Sequence, residues 1–257
     1  MDDSCTRRPL RTHSATVALV GLTLLGFVSA PQHAGAQGPP AAPAKEEGEV
    51  AHPFVTHMGI PEGVGVFSLR VSGLMTRADG TSKGDFAFHF ETGLTKTIGL
   101  HIRNDAFRTN SFTEMMFQFV AIMSKDGMSG FAPIIEFEFP THSGAGSRIN
   151  ALVGQTVKLA NSRVAFNEVL HYNPREDGVD WSASLVAVAT PRFFPVVEVL
   201  GEGATGSLPV LRLLAGFKVR VREGINLGFA YQVPVTGNRD FSSRLMLQPE
   251  FGWGKEP

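Results

Sequence analysis

The sequence predicts an all-β protein, a transmembrane antiparallel up-and-down β-barrel of about twelve strands. Three observations predict it. Most of the chain after Ala36 alternates apolar and polar residues with period two, which puts them on opposite faces of strands. The alternating stretches are mostly close to the roughly 9–11 residues that cross a bilayer at a tilt, longer than the ~5–6 usual in soluble strands. Turn-forming residues punctuate them, and no run after Ala36 reaches the roughly 18 apolar residues of a spanning helix.

Composition narrows the class. The 257 residues are 43% apolar and 18% charged, with a net charge of -1, so neither a mostly disordered chain nor a generic nucleic-acid binder is expected. One cysteine excludes a disulfide framework and a thiolate zinc cluster. Mean hydropathy is +0.03, and 20 Phe stand against 2 Trp and 2 Tyr. Half-lipid, half-lumen strands account for the hydropathy and for the Phe excess, expected mostly on the outward face, but not for the scarcity of Trp and Tyr.

The first 36 residues read as a secretory signal peptide. Arg7, Arg8 and Arg11 precede the uncharged apolar run Ala15 to Ala30, and Ala34-Gly35-Ala36 supplies a small-residue cleavage pattern, with Val28-Ser29-Ala30 as an earlier option. Pro9-Leu10-Arg11 fits twin-arginine export poorly, so the general route is expected. Cys5 precedes the apolar run, is no acylation site, and is removed with it. Residues 37–63 form a Pro/Ala-rich disordered linker and an N-terminal segment; the ordered domain begins between Val50 and Val64.

Barrel strands follow over 64–253, with a short tail at 254–257. They are expected near 64–77, 84–92, 97–105, 112–124, 130–139, 149–160, 163–172, 179–189, 193–200, 208–221, 225–234 and 240–253. Phe86, Phe88 and Phe90 oppose Ala87, His89 and Glu91; Ile98, Leu100 and Ile102 oppose Gly99, His101 and Arg103. Ile135, Phe137 and Phe139 oppose Ile134, Glu136 and Glu138; Leu213, Ala215, Phe217 and Val219 oppose Arg212, Gly216, Lys218 and Arg220. Leu227, Phe229 and Tyr231 oppose Gly228, Ala230 and Gln232, and Leu245 and Leu247 oppose Arg244 and Gln248. Gaps at 92–96, 125–129, 161–162, 190–192 and 222–224 read as short turns, and those at 78–83, 140–148, 173–178 and 201–207 as longer loops. Short turns on one side and longer loops on the other suit an outer-membrane barrel with periplasmic termini.

A soluble β-sandwich also alternates, but the long strands with all-apolar faces favour lipid outside and a charged lumen inside. The ending Phe251-Gly252-Trp253 fits the aromatic-x-aromatic assembly signal of outer-membrane barrels, although four residues follow it. Trp181, Trp253 and Tyr172 fall near strand ends, where an interfacial girdle sits. Partners are then outer-membrane lipids, the assembly machinery and small-molecule solutes, with no nucleic acid.

Four stretches carry a family resemblance: His52-Pro53-Phe54-Val55-Thr56-His57-Met58-Gly59-Ile60-Pro61, Phe90 to Leu100, Phe137-Glu138-Phe139-Pro140-Thr141 and Tyr231-Gln232-Val233-Pro234-Val235. Together the chain resembles bacterial outer-membrane β-barrel transport proteins of the phenol-degradation MetA-pathway type. The resemblance implies an outer-membrane location and passage of small molecules, hydrophobic or aromatic ones among them. It implies no catalytic residue.

The lumen candidates are Arg70, Glu91, Arg103, Asp105, Glu114, Glu136, Glu138, Lys158, Arg163, Glu198, Arg212, Lys218, Arg220, Arg244 and Glu250. They either set the selectivity of a narrow passive pore or plug it as internal salt bridges. Glu136 and Glu138 against Arg212, Lys218 and Arg220 suggest a field across the lumen. A sealed structural or interaction barrel is the alternative reading; a lipid-modifying hydrolase, on Thr141-His142-Ser143 or on His171 with Ser182 or Ser184, is a further one without a lipase motif. His52, His57 and Met58 with His89 and His101 are soft-metal candidates, but their spacing is not a standard ligand pattern, and no metal or other cofactor is expected. Glu168 shares a face with Val164, Phe166 and Leu170, so it needs a bulge or a partner.

Overall fold

The computed structural model describes residues 50–108, 112–141, 146–159, 163–173, 178–204, 209–236 and 241–254. The predicted signal peptide with Cys5, residues 37–49, His142, Ser143 and residues 255–257 lie outside them.

The strands are β1 (Val66–Ala78), β2 (Thr81–Thr95), β3 (Ile98–Asn104), β4 (Phe112–Phe119), β5 (Ile122–Met123), β6 (Ser129–Pro140), β7 (Arg148–Leu159), β8 (Val164–Asn173), β9 (Gly178–Ala187), β10 (Phe193–Ala204), β11 (Val210–Arg222), β12 (Ile225–Thr236) and β13 (Ser243–Gly254). All pairings between them are antiparallel; β4 pairs with β6 past the stub β5, and β1 pairs with β13 from Val66↔Gly254 to Arg77↔Ser243. The result is a closed up-and-down barrel of twelve long strands with no helix among the described residues. Closure pairs every strand on both edges, as a hydrocarbon surrounding demands.

The distribution of side chains is inverted relative to a water-soluble protein. Charged Arg70, Glu136, Glu198 and Lys218 are at most 1% exposed, while Met75 is 57% and Leu247 52% exposed. Alternation along each strand produces this, because one face points into the closed sheet and the other out of it. Most phenylalanines point outward, but Phe54, Phe112 and Phe194 are buried inside, so the inner face is partly apolar. Leu74, Met116, Ile134, Leu152, Leu214 and Met246 join them there.

Two loop expectations are corrected. Thr81, Ser82 and Lys83 belong to β2, and the expected loop at 78–83 is the two-residue turn Asp79-Gly80, with φ of 48° and 76°. Asp-Gly with both φ positive matches the right-handed twist of a hairpin, and polar strand residues beyond the bilayer carry no penalty. At the other end, the β4–β6 connection spans residues 120–128 and contains β5, longer than the turn expected at 125–129. The contrast in loop length between the two ends is therefore weaker than the alternating gaps imply.

Glu168 meets a partner rather than a bulge. The register of β8 with both neighbours is unbroken, so the side chain points outward, yet it is only 3% exposed. Trp181 Nε1 donates to it at 2.8 Å and buried Gln155 stands opposite on β7. The Trp181 ring also lies over Gly201, 3.3 Å from the position of an added Cβ, so the indole spreads across the wall and shields the carboxylate.

Leu247 tests which solvent the outer face meets. Leu247→Arg near the middle of β13 is expected to destabilise the barrel by about 2–4 kcal/mol in a lipid bilayer, measured by urea titration of folding into vesicles. An unchanged midpoint would put that face in water.

Candidate functional site

The lumen is filled from one end by the chain's own N-terminal segment. Residues 50–65 do not stop at the mouth; they run into the barrel as a loop whose two legs touch, His52 against Glu62. Val64 bridges Gly93 where the segment meets β2. Glycines on the inner face receive it: a Cβ on Gly99 would lie 2.8 Å from Pro61 Cβ, one on Gly130 2.7 Å from Ile60 Cγ1, and one on Gly228 2.7 Å from Phe54 Cε1.

Charges on the wall hold the apex of this plug. Glu198 of β10 accepts the backbone N–H groups of Phe54, Val55 (3.1 Å to Oε2) and Thr56 (2.8 Å), and the Thr56 hydroxyl at 2.8 Å. The loop thus offers a concave row of amides to one anion. Arg70 Nη1 donates to the Pro53 carbonyl at 2.7 Å, and Lys218 Nζ lies 3.4 Å from the same oxygen and 5.0 Å from the Phe54 ring centroid. Gln248 Nε2 donates to Phe54 O at 3.1 Å and Gln118 Nε2 to Met58 O at 3.0 Å. Gly59 N–H donates to Thr156 Oγ1 at 2.6 Å.

The two plug histidines differ. His52 donates from Nδ1 to Glu250 (2.9 Å) and from Nε2 to Glu62. Burial alone would push His52 down, but the two carboxylates outweigh it and hold it well above its ordinary value, as an imidazolium. His57 Nε2 accepts from Arg103 Nη1 at 2.5 Å. Burial, then the Arg103 charge and the nearby His101 and His89, push His57 well below its ordinary value, so it is neutral.

Above the plug, at the end away from β1's start, a cavity of about 440 Å³ opens between the strand ends. Phe54, Val55 and His57 form its floor. Arg148 stacks on Phe112 at 4.4 Å, and Arg212 and Arg244 share the Phe241 ring at 5.7 and 4.7 Å. Asp105, Asp180 and Glu202 stand at the rim, partly exposed.

The structure places the sequence candidates as follows. Arg70, Glu91, Glu198, Lys218 and Glu250 surround the plug; Arg103, Glu114 and Glu136 join its top to the cavity, through ion pairs of Arg103 with Glu114 and with Glu136 at 3.9 Å. Asp105, Glu138, Arg212 and Arg244 line the cavity. Lys158 is half-buried on the inner face of β7, and Arg220 stacks on Phe194 at 4.8 Å. Arg163 lies exposed beside the β7–β8 turn, outside the lumen, because β8 begins one residue after it. The charges expected to set a field across the lumen have local partners: Lys218 pairs with Glu250 (2.5 Å), Arg212 with Glu202, and Glu136 and Glu138 both accept from Asn150 (2.9 and 2.8 Å). Local pairing wins because the plug leaves little water to screen isolated charges. His171 lies between Glu136 (3.5 Å) and Asp180 (3.6 Å), and Ser184 accepts from Asn167 at 3.0 Å. Trp253 is an outward residue of β13, 5.8 Å from Phe67 in a stack.

The neutral half of the site escapes a reading based on charge. His101, Gln118, Asn150, Thr156, Asn167 and Gln248 are all buried inside and carry much of the hydrogen bonding. The lumen-face glycines Gly99 and Gly228 were its sequence signal, since a glycine inside a strand marks a close approach.

The closed barrel of twelve antiparallel strands is similar in fold to solved outer-membrane porin barrels. The KdgM porin has a TM-score of 0.56 at 8% identity, over 72% of this chain and 98% of that one. The KdgM porin in complex with disordered oligogalacturonate gives 0.55 at 7%, over 72% and 98%. The NanC porin gives 0.52 at 10%, over 73% and 99%. Identity this low carries the fold alone. No family model matches this chain, and no curated protein does.

His52 makes plug anchoring depend on pH. Because its value is raised in the folded state, its contribution is complete below about pH 6.5 and is lost as pH rises through the folded value. His52→Gln is expected to lower the thermal midpoint of heat-modifiable gel mobility near pH 6 and to converge on the unsubstituted protein under alkaline conditions. A difference that stays constant with pH contradicts the double carboxylate clamp.

Proposed function

We propose that the protein is an outer-membrane channel for small solutes, passive and without a chemical step, whose passage is controlled by its N-terminal plug. The observation that carries this is the cavity of about 440 Å³ with plug residues Phe54, Val55 and His57 as its floor. A solute entering from the loop end meets a chamber and then a non-strand segment of the chain, not a solid wall of strands. The porin-type fold supports the outer-membrane location, as does the lipid-suited outer face. The resemblance to MetA-pathway transport proteins supports small substrates. The chamber's arginines and carboxylates favour polar or charged solutes over the hydrophobic ones that resemblance implies.

Glu198 binds the apex of the plug through more of its main-chain groups than any other wall residue does. Removing Glu198 leaves the two buried N–H groups of Phe54 and Thr56, and the part-buried one of Val55, without their acceptor, a loss of roughly 1–3 kcal/mol for each buried group. Glu198→Ala is therefore expected to raise the open fraction in planar bilayers at least ten-fold, about 1.4 kcal/mol of bias. A folded variant that stays as closed as the unsubstituted protein would refute the plug as gate. A barrel that conducts in neither form would favour the sealed, interaction-only alternative.

A further inference from the structure

We propose that His57, Glu91 and His101 form a binding site for a divalent transition-metal ion of the zinc class, stapling the plug to the wall. His57 belongs to the plug, Glu91 to β2 and His101 to β3. Their nearest ligand atoms all lie within 4.8 Å of one another, and the three residues are at most 4% exposed.

The donor pattern points to a cation. Met58 O can only accept, so Gln118 Nε2, 3.0 Å away, must be the donor there. That orients Gln118 Oε1 toward His101 Nε2 at 2.9 Å, so Nε2 carries a proton and Nδ1 is the nitrogen free to ligate. His101 Nδ1 faces Glu91 Oε1 at 3.4 Å. His101 Nδ1 and His57 Nδ1 are both buried, turn toward that oxygen and lack a hydrogen-bond partner among the described residues. His57 Nδ1 stands 3.9 Å from the same oxygen. Ligands bound at about 2.0–2.1 Å in a tetrahedron sit about 3.3 Å apart, so a small closure of the trio brackets an ion. Two imidazoles and a carboxylate leave the fourth position to water.

The surroundings can absorb the charge. Arg70 already sits on Glu91, and Arg103 on His57, but carboxylates back these cations and the neighbouring histidines: Glu136 on Arg103, Asp105 on His89, and Glu62 and Glu250 on His52. Ligation through His57 Nδ1 moves that ring's proton to Nε2, with no net proton released. Arg103 Nη1 then gives up His57 and turns to Asp105 Oδ2, already 3.8 Å away. The ion would hold the plug against two strands and oppose opening; that consequence rests on the proposed channel, whereas binding itself does not.

The test is calorimetric titration of the chelator-stripped full chain, in detergent micelles, with zinc chloride, reading His57→Gln and His101→Gln alongside. One saturable zinc per chain is expected, weakened at least about ten-fold in each variant that keeps its heat-modifiable mobility. No saturable uptake, or equal affinity in both folded variants, overturns the site. Cobalt(II) on the unsubstituted chain gives a reading that needs no variant. Strong visible absorption, displaced by one equivalent of zinc, supports a four-coordinate nitrogen–oxygen set, and a weak six-coordinate spectrum overturns it. Conductance enters none of these readings, so they stand or fall apart from the channel.

Discussion

A closed barrel of about twelve strands encloses a space wider than its own side chains fill and narrower than bulk water would need. Everything else in the molecule answers that constraint. Alternation forces half of each strand into the enclosure, and lipid outside forces the polar half to be that one. Charges such as Arg70, Glu198 and Lys218 are then buried with little solvent to screen them. Each must find a counter-charge or a hydrogen-bonding group, because an unpaired ion in such a place costs several kcal/mol. The plug supplies those partners: backbone amides for Glu198, a carbonyl for Arg70 and Lys218, an imidazolium for Glu250.

The plug uses main-chain groups more than side chains. Phe54, Val55 and Thr56 offer their N–H groups, and Pro53, Phe54 and Met58 their carbonyls, to fixed residues of the wall. A non-regular segment can lie at membrane depth only where such groups are satisfied within protein. Removing the loop would strand several buried charges together, which makes the closed arrangement cooperative. The glycines at 99, 130 and 228 make the room; larger residues there would fill the space that Pro61, Ile60 and Phe54 occupy.

The barrel was legible in the sequence because period two repeats over nearly 190 residues, and the face of Phe86, Phe88 and Phe90 lies outward as alternation requires. Strand ends differ by a few residues where polar strands outrun the bilayer, as at Thr81–Thr95, whose start reads as a loop. The plug was much less legible. His52 to Pro61 has neither helical nor strand periodicity, and its partners are up to 198 positions away along the chain, as with His52 and Glu250. Pairing between charges was equally hidden: nothing in the order of residues tells that Arg212 meets Glu202 rather than Glu136 or Glu138. Glu168 is the instructive intermediate. Its wrong-face position was visible from alternation alone, while the indole of Trp181 that resolves it depends on the register between β8 and β9.

The outer wall and the interior thus follow from one rule applied on two sides of a single sheet, and the N-terminal loop completes the interior. The claim at the centre is that this loop resides in the lumen, with its amides bound to Glu198. Hydrogen–deuterium exchange of the folded full chain in lipid bilayers tests it most directly. The account predicts that the amides of Phe54, Val55 and Thr56 are protected to a degree comparable with strand amides. Exchange of those three at the rate of an unstructured peptide, in a barrel whose strands remain protected, would contradict it.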